Sequence, residues 1–355
     1  MAAGRAHAPM RRFIGCSRSH SIGLRNNSMI ISRTPLRMSF VGGGSDISSF
    51  YRKFGGAVLS TAIRKYVYVT VNRKFDGGIR LAYSKTEEVS SLQEIEHRLL
   101  RAAFEMLELE GGVEITTTAD IPSRGTGLGS SSSFTVGLIQ AVSAYLGRHV
   151  SAEALAEKSC EVEIERCGEP IGKQDQYAAA FGGFNLIEFK PDDSVAVSPV
   201  VMSETVRSTL ERRIVTFYTG RTRSASNILK EQSEVSASQV DKQNALRRMV
   251  ELTYVLRDEL SAGNLDGFGE VLNENWMLKK SLTSSISTAE IDDWYGKAIG
   301  AGALGGKLLG AGAGGFMMFY ADEERHTDIE KALGLRRVPF GFEPLGSRIL
   351  FYNPN

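Results

Sequence analysis

The residues best able to do chemistry lie in Pro122–Phe134, PSRGTGLGSSSSF. Gly125, Gly127 and Gly129 run into four serines, Ser130–Ser133. A strand-like run, Val113–Ala119, precedes the stretch, and an apolar run long enough for a helix, Phe134–Leu146, follows it. A glycine turn that opens a helix gathers free backbone N–H groups at the positive end of the helix dipole. That is a polyanion site, most simply one for phosphate. The serine hydroxyls add ligands for phosphate oxygen or a metal ion. A Gly/Ser linker would share the composition, but linkers are seldom embedded between a strand and an apolar helix.

Two familiar phosphate motifs are excluded. The nearest Walker A candidate, ending at Gly306-Lys307, has Ala301 in place of the first glycine and Leu308 in place of Ser/Thr. G-x-G-x-x-G occurs at Gly310/Gly312/Gly315 and at Gly300/Gly302/Gly305. The first is followed by a strand-like FMMFY and the second follows a helix, so neither has the strand–turn–helix setting of a dinucleotide fold.

Phosphoryl transfer also needs a magnesium ion, a positioned nucleophile and positive charge on the moving group. Asp175, between Gln174 and Gln176 in GKQDQYAAAFGG, is a candidate base. Arg37, ahead of the turn VGGGSD (Val41–Asp46), is a candidate charge stabiliser. In that turn the glycines let backbone pass close to a ligand and Asp46 can accept from hydroxyls. A hard cation would take a serine from 130–133 and one of Glu161, Glu163 or Glu165. Taken singly, each residue has a plainer reading. Arg37 reads equally as a surface strand arginine, Asp175 as a first-turn helix carboxylate, the glutamates as a solvated face, and VGGGSD as a tight turn.

The elements that must position these groups follow an α+β plan. Met29–Val41 reads as strand, Lys65–Asn72 as a strongly alternating strand, and Asp76-Gly77-Gly78 as a hairpin turn. Leu92–Leu109 and Ser151–Cys167 read as helices, the second capped by Ser151 and broken by Gly168 and Pro170. Pro191–Ser194 looks like a boundary, and helices are expected near 224–235, 241–262, 264–280 and 288–301. Short strands are expected near 336–340 and 347–352. The 355 residues allow two domains, expected at 29–192 and 193–355. A net charge of +1 offers no nucleic-acid or membrane footprint. Three cysteines without a CxxC pair fit a reducing compartment, and five scattered histidines suggest no His-based metal site. Residues 1–28 carry five arginines and no acid. They are expected to be a disordered extension or an upstream start ahead of Met29, with a transit peptide as the other reading.

PSRGTGLGSSSS resembles the second motif of the GHMP kinases, RTPLRMSFVGGGSD their first, and KLLGAGAGGFMMFY their third. All three stand in the family's order and span the chain from about 30 to 320. MIISRTPLRMSFVGGGSD, GGAVLSTAIRKYVYVTV, GKQDQYAAAFGGFN, TGRTRSASNILKEQ and FEPLGSRILFY are further similar to the D-glycero-D-manno-heptose 7-phosphate kinases within that superfamily. The resemblance implies a ribosomal protein S5 domain 2-like N-terminal domain and a ferredoxin-like C-terminal domain. It implies ATP-dependent phosphorylation of the anomeric hydroxyl of a heptose 7-phosphate, feeding nucleotide-activated heptose synthesis in the cytoplasm.

It also implies roles. Asp175 would orient or deprotonate the hydroxyl, and Arg37 would steady it and the moving phosphoryl group. Pro122, Gly125, Gly127, Leu128, Gly129, Ser130, Ser131 and Ser132 would wrap ATP. Ser131 and Glu163 would hold Mg2+, with Glu165 as the fallback. Gly43, Gly44, Ser45 and Asp46 would hold the sugar, and Gly312, Ala313 and Gly314 would close over it. The expected partners are ATP and a small sugar phosphate, with a homodimer compatible, and neither nucleic acid nor membrane. Two departures stand out: Ser132 and Ser133 replace the family's usual alanines, and Ser45 its usual threonine. The alternatives are a fucose, galactose or hexosamine kinase, a diphosphomevalonate decarboxylase, or a non-catalytic sugar and nucleotide sensor. Cations for the 7-phosphate are sought at Arg52, Lys53, Arg80 and Lys85.

Overall fold

The computed structural model describes residues 29–121, 125–221 and 225–353. The extension 1–28 and Pro122 of the glycine loop lie outside them. Two long strands, β1 (Met29–Val41) and β2 (Gly56–Arg73), pair antiparallel and form the spine of an eight-stranded sheet. Between them runs α1 (Ser48–Phe54). Both strands bury most of their residues, so the sheet is covered on both faces along much of its length. The far half of β2 pairs with β5 (Val113–Ala119), which continues parallel to β3 (Ile79–Ala82) and then β4 (Thr86–Val89). The near half of β2 pairs with β6 (Phe184–Phe189), which pairs with β7 (Val195–Pro199).

Leu92–Leu109 is not one helix. A 3-10 turn, Leu92–Glu94, is followed by α2 (Arg98–Leu107), whose entry is capped when the His97 side chain accepts from Leu100 N. The central helix, α3 (Ser130–Tyr145), is buried nearly all round. It lies against β1 at Gly137, whose carbonyl accepts from Ser32 Oγ at 2.8 Å. A Cβ there would stand 2.7 Å from Thr34 Oγ1, so only glycine lets helix and strand close to this spacing. That seat sets the mouth of α3 beside Arg37, three residues further along β1. Next come α4 (Ala152–Cys160) and α5 (Gln174–Phe181).

Beyond α6 (Glu204–Arg213), β8 (Ile214–Tyr218) opens a second, four-stranded sheet. Four helices follow: α7 (Ala225–Ser238), α8 (Val240–Ala262), α9 (Phe268–Leu282) and α10 (Ala289–Gly300). The chain then returns as β9 (Gly305–Leu308), β10 (Phe316–Tyr320), α11 (His326–Leu333) and β11 (Arg336–Arg337). The sheet order β11-β8-β10-β9 gives this half a ferredoxin-like β-α-β-β-α-β plan.

The expected division at 192/193 does not coincide with the division between sheets. After Pro191–Ser194 the strand β7 turns back onto β6, and the last strand, β12 (Arg348–Asn353), pairs with β1. Both complete the first sheet, where they satisfy backbone groups that its edge strands would otherwise leave unpaired. Among the described residues no helix is long and apolar enough to cross a membrane.

Candidate active site

A cavity of about 620 Å³ opens where the mouth of α3 meets the end of β1, the loop before α5, and the second half of the chain. Gly129 precedes α3 in the left-handed region, at φ 75°. Its φ frees the turn to place backbone N–H groups of the first helical turn toward the cavity. The Arg37 guanidinium, almost fully buried, makes a two-pronged pair with Asp175: Nε to Oδ1 at 2.7 Å and Nη2 to Oδ2 at 3.0 Å. Its Nη1 donates to Gly127 O at 2.7 Å, and its backbone N to Leu128 O at 3.1 Å. One side chain therefore ties the candidate base to the glycine loop. A planar fork facing a carboxylate holds both groups in a single orientation.

Asp46 holds the other side of that base. It is 2% exposed; its Oδ1 accepts from Gly44 N at 2.9 Å and its Oδ2 from Gln174 N at 3.2 Å. The VGGGSD turn is thus bolted to the residue preceding Asp175. Burial, then the Asp175 charge, raises the Asp46 carboxyl above the usual carboxylate range. Ser45 is turned away from the cavity wall, its Oγ donating to Ala57 O at 3.0 Å.

Ser151–Cys167 does not stay α-helical. From Glu161 to Arg166 the backbone widens into a π-helical turn, closed by Cys167 N donating to Val162 O at 3.0 Å. The wider turn re-aims side chains relative to an α-helix. Glu161 faces out and pairs with Arg166 at 2.7 Å, Glu165 is exposed, and Glu163 is 1% exposed and lines the cavity. Glu163 Oε1 accepts from Ser131 Oγ at 3.3 Å and Thr135 Oγ1 at 3.1 Å, and Oε2 from Gln176 Nε2. Burial pushes its carboxyl up to about 7 against the pull of hydrogen bonds from Ser132, Gln176 and Thr135. A buried carboxylate beside a serine hydroxyl matches what Mg2+ takes from a protein when substrate oxygens and water complete its shell. The four serines divide: Ser131 and Ser132 both meet Glu163, while Ser130 Oγ lies 3.3 Å from Thr126 Oγ1 and Ser133 donates to Pro35 O at 2.8 Å. Ser132 lines the cavity.

Only the first residues of the third glycine motif reach the cavity. Gly310 and Ala311 line the cavity, but Gly312, Ala313 and Gly314 do not. Ala313 N donates to Ile286 O at 2.9 Å, and Cβ atoms at Gly312 and Gly314 would strike Ile286 and Arg221. These small residues let the loop pack against its own half. Gly310 in turn meets Gly127, where each would clash with the other loop if it carried a Cβ. The cations sought for the substrate phosphate are engaged elsewhere. Arg52 pairs with Asp193 at 3.0 Å, Lys53 donates to Ala237 O at 3.2 Å, Arg80 pairs with Glu114, and Lys85 pairs with Glu96. None lines the cavity, which instead contains Lys279 and Lys307. Lys279 is buried while its helical neighbour Lys280 reaches Asp292 at 2.9 Å on the surface, a difference that their spacing does not signal.

A second cavity of about 390 Å³ shares Leu99, Ser130 and Ser131 with the first. Val67, Tyr83, His97 and Phe134 line it, with the Tyr83 and His97 rings edge to face at 4.7 Å.

Residues 94–183 match the family description GHMP kinases N terminal domain, and residues 256–335 match GHMP kinases C terminal. A D-glycero-alpha-D-manno-heptose 7-phosphate kinase of Campylobacter jejuni is 32% identical over 326 residues, covering 86% of this chain and 93% of the relative. The chain belongs to the GHMP kinases, and its two-domain α+β fold is theirs. A solved D-glycero-D-manno-heptose 1-phosphate kinase from Bacteriodes thetaiotaomicron superposes with a TM-score of 0.75 at 29% identity, covering 91% of this chain and 99% of that one. A galactokinase of Pyrococcus furiosus is 25% identical, covering 86% of this chain and 93% of its own length.

Proposed function

We propose that this chain is a sugar kinase that transfers the γ-phosphoryl group of ATP to the anomeric hydroxyl of a heptose 7-phosphate. The observation that carries the reading is the Arg37–Asp175 pair tied to the glycine loop through Gly127. The heptose 7-phosphate kinase relative supports the choice of sugar.

Each group has a task. Backbone N–H groups around Gly127–Ser131 hold ATP phosphates, helped by the dipole of α3. The apolar and aromatic lining of the second cavity suits adenine. Ser131 and Glu163 would hold Mg2+, which, when bound, offsets phosphate charge. Asp46 and the backbone of Gly43 and Gly44 face the sugar hydroxyls. Asp175 accepts the proton of the anomeric hydroxyl as its oxygen bonds to the γ-phosphorus. The bond from that phosphorus to the β-phosphate bridging oxygen breaks, and ADP leaves with the bond's electron pair. Arg37 keeps Asp175 aimed and places positive charge beside the moving group. The free, buried thiols of Cys160 and Cys167 support a reducing compartment such as the cytoplasm as the site of the reaction.

The product tests the reading. Phosphorus NMR of the reaction mixture is expected to show a new anomeric phosphate while the 7-phosphate signal persists. A phosphate on another carbon, or inorganic phosphate alone, would contradict it.

A further inference from the structure

Lys279 and Lys307 are buried ammonium groups with no assigned task. Lys307 sits on β9 and is 4% exposed; Lys279 sits on the last turn of α9 and is 6% exposed. They reach neighbouring carbonyls, one at the end of β1 and one in the VGGGSD turn. Lys307 Nζ donates to Phe40 O at 3.0 Å, and Lys279 Nζ donates to Gly43 O at 3.1 Å and Gln232 Oε1 at 2.8 Å. These bonds alone fit a plain structural clamp on the VGGGSD turn. Three further observations point to a ligand.

First, both lysines line the main cavity although they are buried. Second, neither forms an ion pair with a carboxylate among the described residues. The charges that act on Lys307 are those of Lys279 and Arg37, both cationic; Lys279 has only the longer-range attraction of Asp46. A buried charge without a partner is costly, and this pair would be relieved by an anion in the cavity. Third, Gln232 is fully buried and its Nε2 has no hydrogen-bond partner. Gln232 does not itself line the cavity; a Cβ on Gly44 would lie 2.1 Å from that Nε2 and 3.0 Å from Lys279 Nζ, so both donors pack against the cavity wall through glycine alone.

We propose that Lys279 and Lys307, with Gln232 Nε2 beside them, form the subsite for the phosphate that the sugar already carries. ATP phosphates gather at the mouth of α3, where Arg37 is neutralised by Asp175. The two lysines, which no carboxylate pairs among the described residues, lie on elements of the second half and reach Phe40 and Gly43 beside the cavity. A substrate that presents its anomeric hydroxyl to Asp175 and a dianion to the lysines would span the cavity. The lysines then select a sugar phosphate over the free sugar. This inference rests on the sugar kinase reading and deepens it.

The test is the ratio of kcat/KM for heptose 7-phosphate to that for free heptose, in the wild-type protein and in Lys307→Met, Lys279→Met and Gln232→Leu. Methionine keeps the length of the lysine stem and removes the unpaired charge, so each variant is expected to fold; melting curves check this. Each lysine change is expected to lower the ratio about 30-fold or more, mainly by raising KM for the phosphorylated sugar. Gln232→Leu is expected to lower it less, about threefold to tenfold. A wild type that uses heptose 7-phosphate while all folded variants keep its ratio would overturn the subsite and leave the kinase reading standing. So would an equal loss on both sugars with a raised KM for ATP, which would assign the lysines to the nucleotide. A wild type that phosphorylates only unphosphorylated sugars would overturn the heptose 7-phosphate reading itself.

Discussion

Two kinds of cation meet in one cavity. Arg37 is held in a two-pronged ion pair with Asp175, and its charge is balanced before any substrate arrives. Lys279 and Lys307 are buried without such a partner. A balanced pair orients chemistry, because the planar fork fixes the carboxylate and needs no further ligand. An unbalanced pair recruits, because an incoming anion offsets the burial cost of its charged form. The contrast divides the cavity into a reacting end and a recognition end.

The largest effects should come from breaking the balanced end. Asp175→Asn removes the proton acceptor and should lower kcat by about 10²–10⁴-fold. Nucleotide affinity, read by equilibrium titration, should stay near wild type; near-normal turnover would remove Asp175 from the mechanism. Arg37→Met should cost about 10²–10³-fold in kcat. It leaves Asp175 without its partner and cuts the tie to Gly127, so a variant retaining full activity would show that the pair is only structural. Glu163→Gln keeps the shape but loses the charge. It should raise the Mg2+ concentration needed for half activity about 10–100-fold while leaving the melting temperature within a few degrees.

The recognition end should respond to pH. Burial lowers Lys307 to about 7, with Lys279 and Arg37 adding to the shift, and lowers Lys279 to about 8, with Asp46 opposing. Between these values and the ordinary lysine value the folded protein gives up protons that the unfolded chain keeps. The burial penalty is therefore fully present below about pH 7 and fades as pH rises, so the ligand-free protein should gain stability from pH 7 toward 10 from these two groups. Affinity for a sugar phosphate should move the other way. KM for the phosphorylated sugar should rise severalfold between about pH 7 and 9, while KM for the free sugar changes less. Parallel profiles for both sugars would erase the distinction between the two ends. The smallest expected effect lies outside the cavity. Gly137→Ala should lift α3 off β1 and cost about 1–3 kcal/mol of stability, seen in denaturant unfolding.

The candidates of the reacting end could be named from sequence because the glycine turn is local, but the pairing of Arg37 with Asp175, 138 positions apart, appears only in the fold. Glycines before a helix signal a phosphate turn, and an aspartate between two amides after a glycine signals a candidate base. The choice among Glu161, Glu163 and Glu165 was legible only through resemblance. A regular helix does not single out Glu163 as the π turn at Glu161–Arg166 does. The recognition end was hidden for another reason. Lys279 and Lys307 come from a helix and a strand 28 positions apart, and they reach back to Gly43 and Phe40, more than 200 residues earlier. Surface lysines and buried ones look alike until that tertiary contact is known. Gly312–Gly314 could not be assigned from sequence either, since a run of small residues serves close packing of backbone, seen here against Ile286 and Arg221, as readily as it serves a ligand.

The most direct measurement is a coupled ADP-release assay of the wild-type protein over heptose 7-phosphate, free heptose, fucose, galactose, mannose and mevalonate. The account predicts the highest kcat/KM for heptose 7-phosphate, with free heptose well below it. No ADP release with any of the sugars, or a preference for mevalonate, would contradict it.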